Sequence, residues 1–325
     1  MNTINSKTVN SKPINPPLEV ILKRNSIIES RHIVHAVITD KDGRVRMHAG
    51  NHSFETFIRS SLKPFQVLIC LSCGNSKSID ANTRSIAIAC GSHSGSVFQA
   101  REAFKLLWDS SIDINNLKCP VPKGMKSNLQ HNCSGKHSAF LVTCKRMGWP
   151  ITNYLDINHP LQRKIKKKLG ELLLIAPEEI ISAVDNCGAP TFYLKISQMA
   201  LLYARLGFED SPEFMKIKTS ISSYPELIAG KGKFDTELIM RSKGQLISKG
   251  GGEGVQCITR IGEGIGIAIK VEDGSKRAKH AVALHILKKL EWISPSCFEE
   301  LQSLTNNFSA GVELEVSGRM KFQEI

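Results

Sequence analysis

The sequence predicts an α+β protein: an antiparallel sheet covered by helices, with a helical insertion. Two patterns and their order carry this. Apolar residues alternate with a period of two early in the chain and again beyond residue 255, and they recur three and four apart through the middle. The order is therefore strands, helices, strands, helix, with no linker between independent domains. The 325 residues suffice for one large core, and a 41% apolar content is ordinary for a globular chain.

Met1–Pro17 is rich in Asn, Ser, Lys and Pro and has no apolar secretory segment. It reads as a flexible tail before one catalytic domain over 18–325, with an organelle-targeting segment or a partner-binding arm as alternatives. Ile33–Thr39, the turn Lys41-Asp42-Gly43 and Arg44–His48 predict a hairpin, because Gly43 tolerates positive φ. Lys63–Cys73 predicts a helix with Pro64 in its first turn, where a missing N–H costs little. Ser85–Cys90 reads as a short apolar strand ending in the turn Gly91–Gly95. Val97–Trp108, Ser138–Met147, Pro160–Leu173 and Thr191–Leu206 have helical periodicity, so a helical region of about 97–230 sits between the sheet-forming segments. Phe234–Met240, Val255–Thr259 and Ile265–Val271 read as strands. The last sets Ile265, Ile267, Ile269 and Val271 on one face against Gly266, Ala268 and Lys270. Ser275–Trp292 reads as a long terminal helix.

The longest apolar runs, such as Gln66–Cys70, fall far short of the ~20 residues that span a bilayer, so no membrane helix is expected. Nine cysteines, an odd number scattered through apolar stretches, suit a reduced cytoplasmic protein better than a disulfide framework. They read as buried hydrophobes, metal ligands or reactive thiols. The net charge of +13 would attract anions. Its densest run, Arg163–Lys168, lies mid-helix and reads as a solvated face; no nucleic-acid fingerprint accompanies it.

Four constellations carry possible chemistry. In Ser60-Ser61-Leu62-Lys63, the amine lies one turn from the Ser60 hydroxyl. A serine needs an adjacent base, and a lysine serves if burial or neighbouring charge lowers its pKa. The bland alternative is a helix cap followed by a surface lysine. Cys90-Gly91-Ser92-His93-Ser94-Gly95 offers hydroxyls and N–H groups in a turn, with His93 as a turn-stabilising or gating residue. Asn132-Cys133-Ser134-Gly135-Lys136-His137 and Asp185-Asn186-Cys187-Gly188 place two cysteines beside glycines, a mixed sulfur and nitrogen set of the kind that suits zinc. The pair Cys70 and Cys73 reads as core. Ser248-Lys249-Gly250-Gly251-Gly252 lacks the order of a phosphate loop and reads as close backbone approach to a ligand, with the amine pointing into the site.

Taken in order, Arg59-Ser60-x-x-Lys63-Pro64, Ser92-His93-Ser94, Cys133-Ser134-Gly135-Lys136-His137, Asp185-x-Cys187-x-x-Pro190, Lys249-x-Gly251 and Ile267-Ala268-x-Lys270-x-x-Asp273-Gly274 resemble the L-asparaginase II family, the rhizobial-type (class 3) asparaginases. The resemblance runs from about Pro17 to about Gly274. It implies hydrolysis of L-asparagine to L-aspartate and ammonia, a fold similar to serine β-lactamases and glutaminases, and a homodimer. It implies two catalytic pairs, Ser60 with Lys63 and Ser92 with Lys249, with Ser60 the favoured nucleophile. It maps a zinc site onto Cys133, Lys136 and Cys187. Arg59, Asn132, His137, Asp185 and Gly251 are the implied substrate-binding positions. Two departures, Asn186 where Gly is usual and Gly250 where a bulkier residue is expected, alter the pocket's shape. The S-D-N and K-T-G motifs of β-lactamases are not present. The alternatives are a glutaminase or other small-amide acylase of the same fold, or a non-catalytic, zinc-stabilised basic binding protein.

Overall fold

The computed structural model describes residues 15–73, 83–305 and 308–322. Residues 1–14 of the expected tail lie outside them, whereas Asn15 is already packed, its side-chain amide 2.9 Å from His48 Nε2. The main sheet is antiparallel and built from β1 (Leu18–Arg24), β2 (Ile27–Asp40), β3 (Val45–Ala49), β7 (Leu246–Gly250), β8 (Val255–Arg260), β9 (Ile265–Val271), β10 (Val312–Ser317) and β11 (Lys321–Phe322). Its order is β10-β1-β2-β9-β8-β7, and β3 joins β2 to β11. The predicted hairpin is β2–β3, with Gly43 at φ +87°.

Between β3 and β7 the chain leaves the main sheet. A second antiparallel sheet, order β4-β6-β5, is formed by β4 (Glu55–Phe57), β5 (Ile181–Val184) and β6 (Pro190–Lys195). Around it run α1 (Lys63–Ser72), α2 (Thr83–Cys90), α3 (Val97–Trp108), α4 (Ser134–Arg146), α5 (Pro160–Leu173), α6 (Ile196–Phe208), α7 (Pro212–Ser223) and α8 (Phe234–Arg241). On the other face of the main sheet lie α9 (Lys276–Lys289) and α10 (Pro295–Thr305). The α+β architecture is thus as expected, with a helix layer on each face.

The alternation in β9 explains both layers. Ile267, Ile269 and Val271 enter the core shared with α9, while Ala268 enters the larger core. Gly266 faces α6 so closely that an added Cβ would lie 2.0 Å from the Ala200 carbonyl oxygen. The basic run of α5 is a solvated face, with Ile165 and Leu169 turned inward and Lys164 and Lys167 exposed.

Four expectations need correction. Ser85–Cys90 is helical, not a strand. Its short run of alternating isoleucine and alanine is buried all round, so no period separates the two states, and alanine favours the helix. Phe234–Met240 is also a helix: Asp235 and Glu237 complement its N-terminus, and Phe234 and Leu238 share the buried face. The helix expected from Thr191 starts at Ile196; β-prone Thr191, Phe192 and Tyr193 pair in β6, and the Gln198 side chain accepts from the Lys195 N–H at 2.9 Å. The last helix is not terminal, because α10 and β10 follow and β10 closes the sheet against β1.

Gly266→Ala should lower stability by about 1–3 kcal/mol or more through overpacking against α6. Denaturant unfolding of the variant checks this, and an unchanged midpoint would show that α6 is free to shift.

Candidate active site

Arg59 is the first residue of the site and is held at φ +53°, a left-handed conformation that is costly for a side chain with a Cβ. Its N–H donates to Thr191 Oγ1 at 3.2 Å and its Nε to Asp185 Oδ1 at 2.8 Å, so the small sheet anchors it from both sides. The backbone then turns through a 3-10 segment, Arg59–Leu62, directly into α1. Ser60 therefore sits at a helix entrance facing a cleft, while Ser61 turns inward and donates to the Lys249 carbonyl at 2.8 Å.

Lys63 lies at the start of α1 and is buried. Its amine meets the Gly91 carbonyl at 2.5 Å, the Asn132 carbonyl at 2.9 Å and Ser92 Oγ at 2.9 Å. Burial lowers its pKa, with Lys136 adding to the shift and Cys133 opposing it. The amine's hydrogens are matched by these three acceptors, and burial, by disfavouring the charged form, eases loss of a proton beside the Ser92 hydroxyl. The expected pairing is thus corrected: Lys63 is bonded to Ser92, not to Ser60. The reason is two carbonyls, Gly91 just after α2 and Asn132 shortly before α4, which draw the amine across the helix entrance.

Lys249 ends β7 beside the glycine run. It is buried, and its amine donates to the Gly250 carbonyl at 2.8 Å rather than to Ser92. Burial brings its pKa down to about 7; Lys63 and Lys279 contribute and Asp235 opposes. Gly251 passes so close to the Ser60 segment that a Cβ would lie 2.9 Å from the Ile58 carbonyl oxygen. Among the described residues, the backbone N–H groups of Ser60 and Gly252 donate to no acceptor.

The three expected metal ligands converge in the interior. Lys136 Nζ is 3.2 Å from Cys187 Sγ, and Cys133 shares a hydrogen bond with Cys187. That hydrogen bond pulls the Cys133 thiol well below its ordinary pKa and pushes Cys187 up. Two sulfurs and one amine in a buried pocket are a donor set that fits zinc. Among the described residues, no three His, Cys, Asp or Glu side chains gather for a metal, because one of these donors is a lysine. All nine cysteines are free and buried.

A cleft of about 450 Å³ collects Ser60, Ser92, Asn132, Lys249 and Gly251. Arg59 and Asp185 sit at its side, against Gly252. His137 stands apart from the cleft. It is fully buried, its Nδ1 is hydrogen-bonded with Tyr154 Oη at 2.8 Å, and burial favours its neutral form. His93 lines the cleft with its ring already engaged, Nδ1 accepting from the Gly95 N–H at 3.2 Å and Nε2 lying 2.9 Å from Ser134 Oγ. Burial brings its pKa down to about 3, which suits a residue that fixes the turn.

Sequence reasoning missed Asp235, Lys279 and Tyr203. Asp235 accepts from Ser248 Oγ, the Gly250 N–H and Gln256 Nε2, and so fixes the end of β7. Burial opposes its charge, yet Lys249 and Lys279 hold its carboxyl below the usual range. The misassigned strand hid it. Tyr203 donates to the Ser61 carbonyl at 2.8 Å from inside an apolar helix, a position with no sequence signal.

A curled antiparallel sheet thus carries a cleft lined by Ser60, Ser92 and the buried Lys249. The L-asparaginase II family model matches residues 20–322, and the chain belongs to that family. No curated protein matches the sequence. Among solved structures, Mglu is similar at a TM-score of 0.50 and 11% identity, over 80% of this chain and 67% of that one. Mglu in its glutamate form scores 0.47 at 12% identity, and this chain spans 61% of its length. A Bacillus glutaminase scores 0.39 at 14% identity, over 80% and 91% of the two chains. A β-lactamase from Mycobacterium bovis scores 0.42 at 11% identity, over 84% and 94%.

The Lys249 pKa falls from 10.5 to about 7 on folding, so between those values the unfolded chain binds the extra proton. Stability should therefore rise with pH through that window, by at most about 1.4 kcal/mol per pH unit, with the penalty fully present below about pH 7. Lys249→Met should flatten that rise in chemical denaturation at pH 6.5, 8 and 9.5. An identical slope in both proteins would show that Lys249 does not titrate there.

Proposed function

We propose that the protein is an L-asparaginase, hydrolysing the side-chain amide of L-asparagine to L-aspartate and ammonia. The observation that carries the reading is the buried Lys63 amine at 2.9 Å from Ser92 Oγ, in a cleft that Ser60 and Lys249 also line. Ser60 attacks the amide carbon and its proton passes to the Lys63–Ser92 pair. The charge that develops on the carbonyl oxygen is met by the N–H groups of Ser60 and Gly252. Ser92 returns the proton to the departing ammonia, and water cleaves the acyl-enzyme ester by the same path in reverse. Lys249 contributes positive potential to the cleft.

Arg59 and Asp185 hold the carboxylate and ammonium of the substrate, and Asn132 and Gly251 form the wall beside them. His137, set behind the cleft, supports the helix turn that carries Lys136. Cys133, Lys136 and Cys187 would hold zinc, which supplies a fixed positive charge that orients the bound amino acid. Free, buried cysteines support a cytoplasmic location. Among the described residues, no helix is long and apolar enough to cross a membrane. Exposed Val97, Phe98, Phe104 and Trp108 on α3 support a homodimer. The cleft also has room for a side chain one methylene longer, which favours glutamine as the second candidate substrate.

Ammonia release from asparagine by the purified protein is the direct assay. Lys63→Ala and Ser92→Ala should each lower kcat by about 10²–10⁴-fold, and Ser60→Ala by at least as much. Unchanged activity in both Ser60→Ala and Lys63→Ala would sink the mechanism. The ratio of kcat/KM for asparagine and glutamine decides the substrate.

For the metal, elemental analysis should find zinc, and its removal by a chelator should raise KM for asparagine more than it lowers kcat. An unchanged KM for asparagine after zinc removal would refute this role.

A further inference from the structure

One wall of the cleft, which has a volume of about 450 Å³, comes from two elements that carry none of the serines. Lys233 caps α8, and Lys276 and Lys279 lie in the first turns of α9. The carboxylate on this wall, Asp235, is consumed by Ser248, Gly250 and Gln256. Lys279 donates to the Gly251 and Val255 carbonyls. Lys233 and Lys276 are exposed, and their side-chain amines make no ion pair or hydrogen bond among the described residues.

The glycine run orders the cleft. Positions that a Cβ would occupy lie 3.3 Å from Arg59 Cζ at Gly252, 3.2 Å from Ser61 Oγ at Gly251 and 2.9 Å from Lys279 Nζ at Gly250. With the amino-acid end of a substrate on Arg59 and Asp185 and its carbonyl at Ser60, the departing amine faces the lysine wall. Gly250, lacking a side chain, lets Lys279, Gln256 and Asp235 pack against the end of β7.

We propose that the site also hydrolyses β-amides of aspartate whose amine portion carries a carboxylate, with Lys233 and Lys276 holding that carboxylate. This rests on the amidohydrolase reading above. The amide C–N bond breaks as Ser60 forms the ester, the departing amine takes a proton from Ser92, and one water releases aspartate. Two lysines in a cleft attract an anion more strongly than the same charges on a flat surface, because the low-dielectric walls focus their field.

The test compares β-aspartylglycine with β-aspartylglycinamide, which has the same scissile bond and no carboxylate, following the released amine by mass spectrometry. The wild type should favour the carboxylate in kcat/KM by at least tenfold, with less preference at high salt. In the double variant Lys233→Ala/Lys276→Ala the preference should vanish through KM, with the rate on the neutral amide as the internal measure of folding. Equal kcat/KM for the two amides in the wild type, or a preference that survives in the double variant, overturns the proposal. Hydrolysis of asparagine without either longer amide overturns this inference alone. Failure on all three substrates overturns the amidohydrolase reading as well.

Discussion

Most of the site depends on burying one amine. Lys63 is a cation by default, and its transfer to the interior is costly unless it is paired or loses its proton. This chain satisfies it with acceptors from two other segments: Gly91 and Ser92 after α2, and Asn132 before α4. Those contacts fix where three helices begin or end around one point. The same contacts make the amine useful, because they hold it against a serine hydroxyl while burial eases loss of its proton.

That arrangement requires backbones to approach closely. A Cβ on Gly91 would lie 2.2 Å from the Leu227 carbonyl oxygen, and one on Gly135 would lie 2.3 Å from the Ile88 carbonyl oxygen. The motif glycines thus set the spacing between α2, α4 and the loop before α8. Asn132 and Cys133 are neighbours, so the carbonyl that holds Lys63 and the thiol that bonds Cys187 move as one unit. Electrostatic coupling follows: Cys133 raises the Lys63 pKa and Lys136 lowers it. A charge held by the sulfur cluster is felt at the serine pair through this short path.

Legibility followed periodicity. The helices α3 and α5 each expose one face and bury another, and β9 sets large apolar residues on one face against Gly266, Ala268 and Lys270 on the other, so their patterns survive in the sequence. α2 and the start of α6 do not, since they are enclosed by protein and lose the polar stripe that distinguishes a helix from a strand. The edge strand β10 and its neighbour β1 were passed over although Val312, Leu314 and Val316 alternate with polar residues. Among site residues, Ser60, Ser92, Asn132, Lys249 and Gly251 were found as motif members and do share one cleft. Asp235 was not, because no spacing links it to β7.

The sequence by itself determined the chemical inventory: two motif serines, lysines placed to be buried, thiols beside glycines, and an α+β order of elements. Local patterns suffice for these because they depend on neighbours within a turn or a strand. Only the tertiary structure decided the partnerships. One turn of helix brings Lys63 near Ser60 in sequence, but a lysine side chain is long enough to choose among acceptors from distant segments. It settles where carbonyl groups from two segments, at Gly91 and Asn132, stabilise it, and that is at Ser92.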